Sequence, residues 1–330
     1  MAALLVLGGG SWGVTLARLL AGRGHTVQLW EYDPALRAAL RTTRANPRCL
    51  PGVLLPPAVA VIDGPEEVAT VAGALMVVPS TAVRATAARF CAPLAAADWT
   101  VSAAKGLDGN SLLRLSAVIA AAADCDPARV GALSGPSHAE EVSAGIPTSV
   151  TVAFPGLALA RTVRDLLTTP RFRIYANDDL PGVELGGALK NVIAIATGIS
   201  DGLGFGDNTR AALITRGLRE MERLGVAQGA RAETFAGLSG LGDLVVTCTS
   251  RHSRNRQLGE YVGRGDTLAQ ALARMTMVAE GVPTCSAAQA LARQLGLRMP
   301  ITDEVCRILH EGQPARAAVE NLMGRQPTDE

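Results

Sequence analysis

The chain has 330 residues, of which 48% are hydrophobic and 18% charged, with 31 Lys or Arg against 30 Asp or Glu. This composition excludes intrinsic disorder, and a formal net charge of +1 provides no general field for nucleic acid or an anionic membrane. No apolar run approaches a membrane span and no signal peptide precedes the first strand, so we expect a cytoplasmic protein without membrane insertion. The length favours two domains.

The first half of the chain alternates short apolar runs with helix-like segments, the pattern of βαβ units and a mostly parallel sheet. In such sheets ligands bind beyond the carboxyl ends of the strands, where Gly8, Glu31, Pro79, Lys105 and Ser134 fall. The candidate strands are 3–7, 26–30, 59–62, 74–78, 100–103, 129–133 and 149–153.

After about Tyr175 the strand pattern gives way to helical segments separated by glycines. Pro181-Gly182 punctuates this change, so we predict an α/β domain at 1–181 and an all-α domain at 182–330. The last five residues, QPTDE, are predicted to form a frayed tail. Helices are predicted at 210–225, 267–274, 284–296 and 301–311.

The first predicted strand runs into GGGSWG, where Gly8, Gly10 and Gly13 form a G-x-G-x-x-G pattern ahead of an apolar helix. The pattern alone is weak, but the strand before it and the helix after it strengthen it. The glycines permit a tight turn and a close approach of backbone to pyrophosphate, at a helix N-terminus that favours anions. The sequence therefore predicts a dinucleotide site, with an ordinary glycine-rich loop as the alternative.

Glu31 ends the second predicted strand. An acid at this position binds the adenosine ribose hydroxyls and repels the 2′-phosphate of NADP, so we predict that NAD is preferred. The alternative is an exposed strand-end carboxylate without a role.

Two lysines stand among the 31 cationic residues, Lys105 and Lys190, and all the others are arginines. Lys190 lies in GGALKN, among small and apolar residues. Arginine cannot lose its proton in a protein, whereas a buried lysine can shift to a useful pKa. We therefore interpret both lysines as functional, against the alternative of chance retention.

Two further segments suit an anionic ligand. Residues 237–259, GLSGLGDLVVTCTSRHSRNRQLG, surround Arg251, Arg254 and Arg256 with glycines and hydroxyls, as a phosphate site or a solvated basic turn would require. Residues 134–142, SGPSHAEEV, follow a strand and open a helix, as a ligand site or a helix cap. The six scattered cysteines and four histidines show no metal-ligand spacing, so we predict buried thiols and no metal.

Taken in their order along the chain, these segments resemble the bacterial NAD(P)-dependent glycerol-3-phosphate dehydrogenase family over nearly the whole chain. The resemblance implies a Rossmann-type α/β domain, an all-α domain, a homodimer, and reversible reduction of dihydroxyacetone phosphate to sn-glycerol 3-phosphate by NADH or NADPH, feeding phospholipid synthesis. The other matching segments are LPG (50–52), VPS (78–80), AKGL (104–107), GVELGGALKNVIAIATGISDGLG (182–204), NTRAALITRGL (208–218) and VAEGVPT (278–284).

The resemblance also implies residue roles. Lys190 matches the catalytic lysine, Asp243 could orient it, and Lys105 and Thr247 match positions of the same pocket. Arg254 is the candidate for binding the substrate phosphate. The matching substrate positions are Lys105, Gly135, Ser137, Lys190, Asp243, Ser253, Arg254 and Asn255. The matching cofactor positions, beside Gly8, Gly10, Gly13 and Glu31, are Ser11, Trp12, Tyr32, Lys105, Ala139, Arg254, Val278 and Glu280.

One departure bears on the cofactor. Many bacterial members carry Arg or His two residues after the strand-end Trp, where this chain has Tyr32, preceded by Glu31. Loss of that basic residue removes a partner for a 2′-phosphate and favours NAD. Two alternatives to the family's activity are a two-domain dehydrogenase of β-hydroxyacids and a non-catalytic NAD-binding sensor.

Overall fold

The structure is a computed structural model that describes residues 1–324, so the predicted tail at 326–330 lies outside the described residues. The strands are β1 (Ala3–Leu7), β2 (Thr26–Trp30), β3 (Ala45–Asn46), β4 (Leu50–Leu54), β5 (Val59–Ile62), β6 (Gly73–Met76), β7 (Trp99–Ser102), β8 (Val130–Ser134), β9 (Thr148–Ala153) and β10 (Phe172–Asn177). The helices are α1 (Ser11–Gly22), α2 (Pro34–Thr42), α3 (Val83–Arg89), α4 (Cys91–Ala96), α5 (Leu115–Ala122), α6 (Ala139–Ser143), α7 (Leu157–Leu167), α8 (Leu180–Gly202), α9 (Asp207–Ala227), α10 (Ala232–Phe235), α11 (Asp243–Thr249), α12 (Arg254–Gly263), α13 (Leu268–Ala273), α14 (Gly281–Gln294), α15 (Pro300–His310) and α16 (Ala315–Met323). Short 3₁₀ turns span Pro65–Glu67, Ser80–Ala82 and Pro127–Arg129, and a π-helix spans Leu238–Gly242.

Eight of these strands form one sheet in the order β10-β9-β8-β7-β6-β1-β2-β5, with β8 and β9 antiparallel and the other neighbours parallel. The predicted mostly parallel α/β fold is confirmed. Strands β1, β2 and β5 have the predicted bounds, and the other four predicted strands agree within two residues. The sequence interpretation missed the β3–β4 hairpin and β10, an edge strand whose side chains alternate between buried Phe172 and Ile174 and exposed Arg173 and Tyr175.

The central strand β1 feeds the apolar layers on both faces of the sheet, because its side chains alternate in direction. Leu4 and Val6 pack on the face covered by α1 and α7. Leu5 and Leu7 pack on the opposite face, against α3 and α5. This two-sided burial explains why β1 reads as a continuous apolar run, and it fixes the loop that follows β1 at the carboxyl edge of the sheet.

Helix α8 is the core of the predicted all-α domain, which is confirmed, and α9, α11, α12 and α14 pack around it. It is long and apolar enough to cross a membrane, but 94% of its most apolar window is buried inside the protein, so it is a core helix. It begins at Leu180 with Asp179 as its N-cap. The domain division after residue 181, which stays a prediction, therefore falls within its first turn.

The cysteines differ from the expectation of buried thiols. Cys285 in α14 and Cys306 in α15 form a disulfide with Cα atoms 6.0 Å apart. Cys248 is a buried thiol, as predicted, whereas Cys91 is exposed. Within residues 1–324, no group of three or more His, Cys, Asp or Glu side chains is placed to hold a metal ion.

Candidate active site

The glycine-rich loop between β1 and α1 has the geometry that a dinucleotide requires. Gly8 has a φ of +118°, and a Cβ there would lie 2.8 Å from the Val77 backbone. A Cβ on Gly13 would collide with the Gly8 carbonyl oxygen at 1.8 Å, whereas the space beside Gly10 is open. Helix α1 begins at Ser11 without a side-chain cap, so its first N–H groups are available to a pyrophosphate.

Two side chains hold this loop by hydrogen bonds to the backbone N–H and carbonyl oxygen of Gly9. Glu31 Oε2 accepts a hydrogen bond from the Gly9 N–H at 2.6 Å, and its Oε1 accepts one from the Asp33 N–H at 3.0 Å. Asn46 Nδ2 donates to the Gly9 carbonyl oxygen at 2.7 Å. Glu31 therefore has a structural role at the loop. Asn46, fully buried in β3, was missed by the sequence interpretation because its partner lies 37 residues away.

Lys105, Lys190 and Asp243 meet in one cluster. Lys105 Nζ lies 2.5 Å from Asp243 Oδ2, and Lys190 Nζ donates to Oδ1 of the same carboxylate. Lys190 Nζ also donates to Thr247 Oγ1 at 2.6 Å, and that hydroxyl donates to the Asp243 carbonyl oxygen at 2.6 Å. Two ammonium groups thus share one carboxylate, which is 1% exposed.

Three elements converge to build this cluster. Lys190 lies midway along α8, where a Cβ on the neighbouring Gly187 would lie 2.3 Å from Ser134 Oγ, so small residues let the helix approach the end of β8. Asp243 opens α11 immediately after the π-helix, a local distortion that is frequent at functional sites. Lys105 follows β7 and also donates to the Gly135 carbonyl oxygen at 2.9 Å. The composition of GGALKN therefore serves close packing around one buried amine.

The electrostatics of the cluster suit proton transfer near neutral pH. Burial lowers the pKa of Lys190 to about 7, with the Asp243 charge opposing the shift and the Lys105 charge assisting it. Burial acts to raise the pKa of Asp243, but the charges and hydrogen bonds of the two lysines bring it below its usual value. Lys190 can therefore exchange its proton while Asp243 remains ionised.

The predicted substrate positions after β8 lie beside the cluster. Gly135 has a φ of +140°, and its carbonyl oxygen accepts from Ser137 Oγ at 2.9 Å as well as from Lys105. Ser137 is thereby held at the entrance to α6. The N-cap residue of α6 is His138, and no side chain of the segment caps the helix by a hydrogen bond within residues 1–324.

The predicted positions at the start of α12 are partly committed to internal contacts. Ser253 caps the helix by accepting from the Arg256 N–H at 3.2 Å. Asn255 Nδ2 donates to Asn191 Oδ1, and its Oδ1 accepts from the Gly281 N–H, each at 2.9 Å. These contacts fix the first turn of α12 against α14 and against α8. The contact with α8 is made at Asn191, the residue that follows Lys190.

The three arginines of the predicted anion site differ in their surroundings. Arg256 pairs with Asp201 at 2.7 Å, so its charge is engaged. Arg251 is exposed and donates to His252 Nε2 at 3.5 Å. Arg254 makes no side-chain hydrogen bond or ion pair with residues in the described part of the chain, although its charge acts on Glu280. Arg254 is therefore best placed to receive an external anion.

The remaining predicted cofactor positions lie on α1, at the start of α6 and just before α14. Trp12 in α1 packs against Phe172 with ring centroids 6.1 Å apart. The Ala139 carbonyl oxygen accepts from Thr15 Oγ1 of α1 at 3.4 Å. Val278 is exposed just before α14.

Glu280 connects the start of α14 to the turn that follows β6 in the sheet. It accepts from the Ser80 N–H at 3.0 Å and from the Ser80 hydroxyl, and burial raises its pKa. This contact joins residues 200 positions apart in the chain, across the two predicted domains.

A glycine-rich loop at the carboxyl edge of a mostly parallel sheet, together with a buried lysine–carboxylate cluster at the junction with a helical domain, is typical of an NAD(P)-dependent dehydrogenase. Residues 3–160 match the model of the NAD-dependent glycerol-3-phosphate dehydrogenase N-terminus, and residues 179–320 match the model of its C-terminus. The chain belongs to the NAD-dependent glycerol-3-phosphate dehydrogenase family.

Individual relatives match over nearly their full length. A glycerol-3-phosphate dehydrogenase (NAD(P)+) of Geobacter sulfurreducens is 52% identical, covering 97% of this chain and 96% of the relative. One of Moorella thermoacetica is 50% identical, covering 99% and 97%. The crystal structure of a Coxiella burnetii glycerol-3-phosphate dehydrogenase superposes with a TM-score of 0.93 at 39% identity, covering 98% of this chain and 99% of that one.

Proposed function

We propose that the chain transfers hydride reversibly between NAD(P)H and dihydroxyacetone phosphate to give sn-glycerol 3-phosphate, with Lys190 as the acid–base group. The relatives that it matches carry this activity in their names. The sharing of Asp243 by two lysines carries the assignment of the site, because a ketone reduction needs a proton donor held next to the carbonyl oxygen. A cytoplasmic homodimer that supplies glycerophospholipid synthesis completes the proposal.

The residues of the cluster divide the chemistry among them. The glycine-rich loop and the start of α1 would hold the nicotinamide dinucleotide, which when bound would supply the hydride for the reduction. In reduction the Lys190 ammonium polarises the carbonyl oxygen and gives it a proton, and in oxidation the neutral amine takes that proton back. Asp243 and Thr247 orient the amine, and Lys105 adds a second positive charge beside the developing alkoxide.

The phosphate is assigned to the start of α12. Arg254 offers a guanidinium with planar, fixed donors, and the helix N-terminus adds backbone N–H groups and a favourable dipole. Ser253 and Asn255 hold this turn in place through their internal hydrogen bonds. The cluster and Arg254 together give a site that distinguishes a phosphorylated ketone from an unphosphorylated one.

NADH is proposed as the preferred cofactor because the region at the end of β2 is acidic. The Glu31 carboxylate is fixed beside the glycine-rich loop by its two backbone contacts. The nearby Arg37 is engaged with Asp63 at 3.0 Å, and Arg48 lies 3.8 Å from Asp33. A 2′-phosphate would therefore meet a fixed negative charge and cations that are already paired.

Absorbance of NADH during turnover tests the function directly. Purified protein should oxidise NADH rapidly with dihydroxyacetone phosphate and far more slowly with unphosphorylated dihydroxyacetone. A panel of β-ketoacids serves as the comparison for a hydroxyacid dehydrogenase. Preference for a carboxylate substrate would assign the chain that other activity, and no turnover with either NADH or NADPH would leave a nucleotide-binding protein without catalysis.

A further inference from the structure

His138 is a partly buried side chain near the lysine cluster to which the mechanism above gives no role. It precedes α6 as its N-cap residue, within the SGPSH segment, although its side chain makes no capping hydrogen bond. Its Nε2 is enclosed by the protein and has no hydrogen-bond partner among residues 1–324. Buried polar atoms are rarely left unpaired in native proteins, and such exceptions are frequent at binding and catalytic sites.

The surroundings of His138 place it beside the lysine cluster. Burial is the main cause that lowers its pKa, the Lys190 and Lys105 charges act in the same direction, and the Glu140 and Asp243 charges oppose them. Its ring also lies 5.8 Å from the ring of His252, two residues before Arg254. The lowered pKa favours the neutral imidazole, and the ring lies against the turn that leads into Arg254.

Dihydroxyacetone phosphate carries three polar groups, and two of them already have partners. Its carbonyl oxygen is assigned to Lys190 and its phosphate to Arg254, which are both cationic. The third group is the free hydroxyl, which is neutral and can both donate and accept a hydrogen bond. A neutral imidazole nitrogen without a partner complements that hydroxyl with either tautomer, whereas a further ammonium group could only donate.

We propose that His138 Nε2 binds the free hydroxyl of the substrate and makes the enzyme selective for a hydroxymethyl ketone. This inference rests on the proposed function. It explains why a polar nitrogen is enclosed without a partner in the described part of the chain, where the entrance to α6 meets the loop before α12. A substrate with a methyl group in place of the hydroxymethyl group would leave Nε2 unpaired in the complex.

The test compares dihydroxyacetone phosphate with hydroxyacetone phosphate, in which a methyl group replaces the free hydroxymethyl group. His138→Phe keeps a ring next to His252 and removes both nitrogens. We expect kcat/KM for dihydroxyacetone phosphate to fall roughly tenfold to hundredfold, and that for the methyl analogue to stay within about twofold of wild type. His138→Gln, which keeps a neutral donor and acceptor, should recover part of the preference and provides a second variant.

His310→Phe is the matched control, because His310 lies at the end of α15 and bonds Ser286. It should leave both substrates unaffected. An equal loss on both substrates in the His138 variants, or no loss on either, would overturn the inference while the proposed function stands. Failure of the wild-type enzyme to oxidise NADH with dihydroxyacetone phosphate would overturn the proposed function, and this inference with it.

Discussion

The nucleotide loop and the lysine cluster are assembled over very different distances along the chain. The glycines of the loop all fall within residues 8–13, and their conformation follows from a turn that joins a strand to a helix. The partners of Asp243 lie 138 and 53 residues away, on an α/β edge and on a buried helix. The shape of the glycine-rich loop therefore depends mainly on local geometry, whereas assembly of the lysine cluster depends on the docking of the helical domain. Substitutions should separate the two properties.

Lys190→Ala should have the largest effect and separate the two regions most clearly. Loss of the proton donor should lower kcat by about 10²–10⁴-fold, because positioned acid–base groups supply rate accelerations of this size. NADH affinity, measured by fluorescence titration, should remain near wild type because the glycine-rich loop is untouched. Lys190→Arg is the matched variant, since it keeps a charge that cannot leave at accessible pH. A small change in kcat would remove Lys190 from the acid–base role.

Arg254→Ala tests the proposed phosphate site at the start of α12. Removing a charge-assisted contact should raise KM for dihydroxyacetone phosphate by roughly tenfold to hundredfold. Activity on unphosphorylated dihydroxyacetone should be unchanged, since that substrate has no phosphate to bind. Arg251→Ala, at an exposed neighbouring position, provides the comparison. An unaltered KM in the Arg254 variant would place the phosphate elsewhere.

The pH dependence of the two reaction directions tests the shifted pKa of Lys190. Reduction requires the ammonium form, so its rate should fall by about tenfold per pH unit above the pKa, which burial lowers to about 7. Oxidation requires the neutral amine and should rise through the same pH range. Profiles of kcat/KM in both directions provide the measurement. Parallel profiles, with the same sign in both directions, would contradict the assignment.

Glu31→Gln should have the smallest effect and act mainly on the choice of cofactor, although its single amide oxygen can replace only one of the two carboxylate oxygens that accept from the Gly9 and Asp33 N–H groups. Removing the charge while keeping an acceptor for the Gly9 N–H should raise the efficiency with NADPH relative to NADH by about tenfold, equivalent to about 1.4 kcal/mol. The ratio of kcat/KM values for the two cofactors measures the change, and the KM for dihydroxyacetone phosphate is the internal control. A wild-type preference for NADPH would show that the acidic region does not decide the choice.

Features formed by contiguous residues were predictable from the sequence, whereas features that need distant partners were not. Strands β1, β2 and β5 were predicted with their observed bounds because a buried strand and its turn signals are contiguous. The lysines stood out because arginine replaces lysine everywhere else in the chain, and Asp243 and Thr247 were recognised through the family resemblance. Asn46 and His138 carried no comparable signal, since an asparagine beside a turn or a histidine near a helix start is common without a role.

The disulfide lay beyond sequence interpretation for a related reason. Cys285 and Cys306 belong to different helices, and only the packing of α14 on α15 brings their Cα atoms within 6.0 Å. The unpredicted features therefore share one property, which is that each depends on a partner supplied by tertiary structure.

Burial of Lys190 has a consequence for the stability of the molecule as well as for its chemistry. Its pKa is about 7 in the folded protein against 10.5 for an ordinary lysine, so between these values the unfolded chain binds more protons than the native one. Linkage then makes this residue's contribution to the free energy of unfolding increase as the pH rises through that window. The buried amine is held at a thermodynamic cost that is greatest at and below neutral pH.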